Sequence, residues 1–212
     1  MRPVLFSTHH FSLSVRKKEK SDPVCSARFH GTKMKKQDYC LVIFPVMNCL
    51  DALIESWHKQ CLCVSNLVDR FDDRLLQIKS AQDGSTAAMH FAHLHGVRLY
   101  WLRQISKSDW PEIGSLYDKS TDDWTAIADF DSIKKRLRES EEGVAQWVRE
   151  AVESGVERCE PYDHPIYFLQ HMIWHDGYHF SSLMQCLRNG GAEPDEEWEE
   201  LNIWAQWRDA EI

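Results

Sequence analysis

From Asn48 onward, apolar residues recur at the three- and four-residue spacing that turns one face of a helix toward a core. Leu50, Leu53, Ile54, Trp57, Cys61, Val64, Leu67, Val68 and Phe71 follow this period, and Asn48 with Asp51 three residues later has the form of an N-cap. The pattern predicts a first helix ending near residue 76. Asp83-Gly84-Ser85 interrupts the chain, and a second helix is predicted from Thr86 to Ser106. Residues 107–129 contain Pro111 and Gly114 and read as a long connection. A third helix capped by Asp131 follows, with Ile133, Leu137, Val144, Trp147, Val148 and Ala151 on its apolar face and Gly155 beyond its end. Asp163-His164-Pro165 opens a fourth, with proline at the first helical position, and Gly190-Gly191 stops it. Nothing reads as a strand. The expectation is an all-α four-helix bundle with a long crossover and a short tail helix.

The first 46 residues do not share this period. They hold nine Lys or Arg against three Asp or Glu, which leaves 16 basic and 30 acidic residues in 47–212. The division is therefore a basic extension, 1–46, disordered or spurious with Met47 the functional start, and a folded domain over 47–212. A body so acidic repels phosphate backbones, which argues against nucleic-acid binding. The longest apolar run, residues 40–46 (CLVIFPV), falls far short of the roughly 20 needed to cross a bilayer. Seven cysteines, with no Cys-x-x-Cys pair, read as reduced thiols of a cytoplasmic protein.

The fourth helix carries the candidate chemistry. His171, His175 and His179 stand at successive i,i+4 positions, about 40° apart around the axis, and form one stripe. Phe168, Met172, Tyr178, Leu183 and Cys186 place that stripe on the inward face. Two imidazoles at i,i+4 can share one metal ion. A single inward histidine is more often a hydrogen-bonded core residue. Three in register each need partners for two ring nitrogens, and a shared ion supplies one to each. The outer two are separated by two turns, so another helix must complete the set. The second helix offers His90, His93 and His95. His93 shares a face with Met89, Val97 and Tyr100 that reads as core-facing, His90 borders it as the reserve, and His95 points away as a surface or interface residue.

The phrases AHLHGVRLYWL (residues 92–102) and HPIYFLQHMIWHDGYH (164–179), with a tail from Pro194 to Trp204, resemble the DinB-like, or YfiT-like, metal-binding bundles. That family places one histidine in His-x-x-x-x-Arg-x-x-Trp-Leu and two more in His-x-x-x-His. The resemblance covers residues 47–207 and implies the ligands His93, His175 and His179, with His171 in the surrounding shell. Where many members continue with Gly-Gln after the last histidine, this chain has Phe180-Ser181-Ser182. It also implies an enzyme that uses one divalent ion, zinc or nickel, to transfer a low-molecular-weight thiol to a small electrophile, or to hydrolyse a small amide or ester. A non-catalytic, metal-stabilised bundle is the third reading. Arg98 and Tyr178 are candidates for the pocket border, against structural roles as a surface ion pair and a core aromatic. Asp176 lies about 100° off the ligand stripe and Asp163 reads as a cap, so no general base stands out. The surplus of aromatic residues, including Trp57, Trp101, Trp147, Trp198, Trp204 and Trp207, points to a homodimer, or to a tail folded back over the metal.

Overall fold

The computed structural model describes residues 48–106, 113–120 and 124–208. The expectations for residues 1–46 and for a start at Met47 lie outside these.

Four long helices form the body: α1 (Cys49–Val68), α2 (Ala87–Ser106), α3 (Phe130–Glu153) and α4 (Pro165–Asn189). Helices α1 and α2 each pack between α3 and α4. The core has two clusters. One gathers Val64, Leu67, Leu76, Phe91, Leu94, Ile133 and Leu183, and the other gathers Ile54, Trp57, Leu102, Val144, Val148, Phe168 and Met172. The apolar positions read from the sequence are largely these, which is why the bundle was legible. Trp57, expected among the surplus aromatics, is a core residue whose Nε1 donates to the Glu141 carbonyl at 3.0 Å.

Helix boundaries follow local chemistry. Asn48 accepts the Asp51 N–H at 2.8 Å as the expected cap of α1. Helix α1 stops at Val68, eight residues earlier than its apolar period suggested, although Phe71, Leu75 and Leu76 remain buried. Asp69, Asp72 and Asp73 crowd its C-terminal end, where negative charge opposes the helix dipole. Asp72 Oδ1 instead accepts the Leu75 N–H at 2.7 Å and starts a separate 3₁₀ turn, Leu75–Gln77. The cap of α3 is Asp129 rather than Asp131, which sits in the first turn. Gly155, at φ +76°, closes α3: its N–H reaches the Val152 carbonyl and the Val156 N–H reaches that of Ala151. His164, not Asp163, caps α4, its Nδ1 accepting the Ile166 N–H at 3.1 Å.

The crossover contains a structure the hydropathy pattern did not show. Strands β1 (Tyr117–Asp118) and β2 (Thr125–Ala126) form a short antiparallel ladder. Two residues are too few for an alternating signal. The tail forms α5 (Glu196–Asn202) and a 3₁₀ turn, Trp204–Trp207. It docks on α1, where Asn66 Nδ2 donates to the Asn202 carbonyl at 2.9 Å and Arg70 lies over the Trp198 ring.

Candidate metal centre

His93 on α2 and His175 and His179 on α4 converge: one nitrogen of each lies within 4.8 Å of the other two. The Nε2 atoms of His93 and His175 are 3.3 Å apart. Two nitrogens 2.0–2.1 Å from a tetrahedral ion stand about 3.3–3.4 Å from each other, so the pair has the spacing of a coordination edge. Helix pitch accounts for the arrangement on α4, and the packing of α2 against α4 brings in the third ring.

The electrostatics favour neutral ligands. Burial pushes the His179 pKa down to about 4, with help from the neighbouring His175, His93 and His90 rings. Burial likewise lowers His93, with His175 adding to the effect. Neutral imidazole is the form that binds a metal.

Two further histidines support the trio. His90 places Nδ1 3.0 Å from His179 Nδ1 and Nε2 3.1 Å from the Ser80 hydroxyl. That link leaves His179 Nε2 for a ligand bond and fixes its ring. His171 sits a turn before His175, its Nδ1 2.7 Å from the Tyr162 hydroxyl and its ring against Trp101. Both lie against the converging histidines.

Behind His175 the chain does something the sequence did not announce. Asp176 is fully buried and pairs with the equally buried Arg98. Arg98 also donates to the Leu137 carbonyl at 3.1 Å and lies over the Trp57 ring. Burial disfavours its charge, yet the Asp176 carboxylate holds its pKa above the ordinary arginine value. Arg98 therefore does not line the cleft beside His93, and its ion pair is buried rather than on the surface. His175 Nδ1 and Asp176 Oδ1 face each other at 3.8 Å, both sealed from solvent and without a hydrogen-bond partner. This fits a metal site. Were His175 to bind an ion through Nε2, its proton would sit on Nδ1, facing the Asp176 carboxylate, the kind of partner that metal-bound histidines characteristically use. Asp176 was detectable: it is the single formally charged residue between Pro165 and Leu187.

Other expectations need correction. His95 is buried at 1% exposure, its Nε2 2.8 Å from the Gly114 carbonyl, so it anchors the crossover rather than facing solvent. Tyr178 is 62% exposed and stacks on Trp174, off the inward face and outside the cleft. The face shared by His93, Met89 and Tyr100 is not core. Met89 and Tyr100 are exposed, and all three line a cleft of about 810 Å³ between α2 and the crossover. Trp204 and Trp207 line a separate groove with Gly177 and Ser181, which stand about 200° around α4 from the histidine stripe. They do not cap the histidines.

No curated protein and no solved structure matches the chain at a significant level. No helix among the described residues is long and apolar enough to cross a membrane. The sequence pattern of the DinB superfamily does match, over residues 64–183, a span that runs from the end of α1 to the last turns of α4 and includes all three converging histidines. With its bundle of long helices and its grouped histidines, the chain belongs to the DinB superfamily.

Proposed function

We propose that the chain is a divalent-metal-dependent enzyme that transfers a low-molecular-weight thiol to a small electrophile. The observation that carries this reading is the convergence of three imidazoles, one of them lining a cleft, with no fourth protein ligand in the group among the described residues. Structural zinc sites usually close with four protein ligands, whereas catalytic sites keep a position for substrate. Zinc or nickel suits an imidazole set. His93, His175 and His179 would hold a divalent ion, which would supply Lewis acidity to lower the pKa of a thiol or to polarise a carbonyl.

The chain's own residues orient and insulate the site. His90 and Ser80 hold the His179 ring, Tyr162 holds His171, and the Arg98–Asp176 pair backs His175. The lack of a carboxylate lining the cleft among the described residues favours thiol transfer over hydrolysis. Among the described residues no Asp or Glu lines the cleft, and Asp176 is committed to Arg98. Water attack is normally assisted by such a base, while a metal-activated thiol is already a nucleophile near neutral pH.

Five cysteines among the described residues are free thiols, in keeping with a reducing, cytoplasmic setting. A homodimer is proposed on the exposed aromatic group Trp174, Tyr178 and Trp204, since large surface aromatics concentrate at interfaces. Light scattering at high micromolar concentration checks this, and a clean monomer mass would refute it. The activity is tested by incubating metal-loaded protein with electrophiles and each common cellular thiol. Turnover with one thiol is expected. Turnover with water alone would move the reading to a hydrolase, and no turnover with a large metal-dependent rise in melting temperature would make the ion structural.

A further inference from the structure

The cleft beside His93 is larger than a metal site requires. Its volume of about 810 Å³ lies in the range of pockets that enclose molecules of several hundred daltons. One wall is a single stripe of α2: Met89, His93, Val97, Tyr100 and Arg103 recur every three or four residues. The other wall comes from the crossover and includes Tyr117, Lys119 and Trp124. From His93 to Arg103 is ten residues of helix, or about 15 Å of rise. The cleft is thus elongated, with His93 toward one end.

Its charge departs from that of the surrounding body. Residues 47–212 hold 30 acidic and 16 basic residues, yet among the described residues the cleft is lined by Arg103 and Lys119 and by no Asp or Glu. Both cations are exposed, and neither forms an ion pair among the described residues. Lys119 Nζ is held 4.2 Å from the centroid of the Trp124 ring. Between Arg103 and His93 the α2 wall is apolar or aromatic, from Val97, Leu99 and Tyr100, and Leu116 adds to the lining.

We infer that this cleft binds an elongated anionic small molecule, its acidic oxygen group at Arg103, its apolar body along Tyr100 and Val97, and its reacting end at His93, with Lys119 adding positive charge to the facing wall. Arginine suits the acidic end because its planar donors match the oxygens of a carboxylate. The assignment of the reacting end rests on the metal-centre reading given above. The anion end does not depend on it.

Three probes that carry neither thiol nor electrophile keep the two apart: 6-phenylhexanoate, 6-phenylhexanol and 6-phenylhexylamine, titrated calorimetrically into the full chain with and without zinc. The carboxylate is expected to bind about tenfold more tightly than the alcohol, the worth of one charge-assisted hydrogen bond, with the amine weakest. The order should collapse in the double variant Arg103→Glu/Lys119→Glu. Both side chains are exposed, so the variant should keep its melting temperature, which is checked alongside. Equal affinities for the three probes, no binding by any of them, or a carboxylate preference that survives the double substitution would each overturn the inference. A preference retained while no thiol turns over in the separate activity screen would leave the cleft assignment standing and remove the transferase reading.

Discussion

His175 and Asp176 are consecutive residues of α4, yet they belong to opposite kinds of polar site. A turn of about 100° carries one toward the histidine group at the cleft and the other into the core. In the core, Asp176 Oδ2 pairs with Arg98, which also donates to the Leu137 carbonyl and the Ser140 hydroxyl. At the cleft, three imidazoles point nitrogens at a common centre and find mainly one another. The sealed region has the character of a brace, and the open one that of a site awaiting a ligand. Charge separates them too. Buried ions persist only as pairs, whereas His179 is held toward its neutral form by burial first and by the neighbouring rings second.

The largest effect expected from breaking this contrast is at the brace. Arg98→Met leaves the Asp176 carboxylate buried and alone, and should cost about 3–5 kcal/mol of stability in urea unfolding. Arg98→Met combined with Asp176→Leu should recover most of the loss, because no unpaired charge then remains. A cost below about 1 kcal/mol for the single change would mean that water reaches the pair.

At the open site the loss should fall on the metal. His175→Ala should weaken zinc binding by at least about 100-fold, equivalent to ~2.7 kcal/mol, in a chelator competition, with metal-free stability nearly unchanged. Full zinc affinity in this variant would sink the ligand assignment.

His95→Ala sharpens the distinction from a third direction. It removes a buried partner of the Gly114 carbonyl and should lower stability by about 1–3 kcal/mol. Metal content, by elemental analysis, should stay near that of the unsubstituted chain. A parallel fall in metal would place His95 in the site. The smallest effect is expected at Tyr178, whose ring lies on the surface, where Tyr178→Ala should change stability by less than about 0.5 kcal/mol.

How much could be read ahead of the fold depended on whether a feature was local. Capping by Asn48, Pro165 at the start of α4 and the glycine after α3 all act within a few residues, and each fell where the pattern put it. The end of α1 did not, because buried Phe71, Leu75 and Leu76 continue the apolar period through a change of backbone path. Periodicity reports which side chains seek the core, not whether one helix carries them there. The errors at His95, Tyr178 and Met89 share another cause. A helix face is core or cleft according to what packs on it, and for α2 that decision rests with a crossover whose two-residue strands leave no signal of their own.

The sequence by itself determined the four long helices, the superfamily and the i,i+4 pair His175 and His179, since these follow from helical pitch and short-range spacing. Tertiary structure decided how α2 meets α4. Packing set the 3.3 Å approach of His93 to His175, the link between His90 and His179, and the burial of Arg98 against Asp176, a partner 78 residues away. Residues that far apart are joined by the shape of the core, which no local pattern of hydrophobic and polar positions encodes.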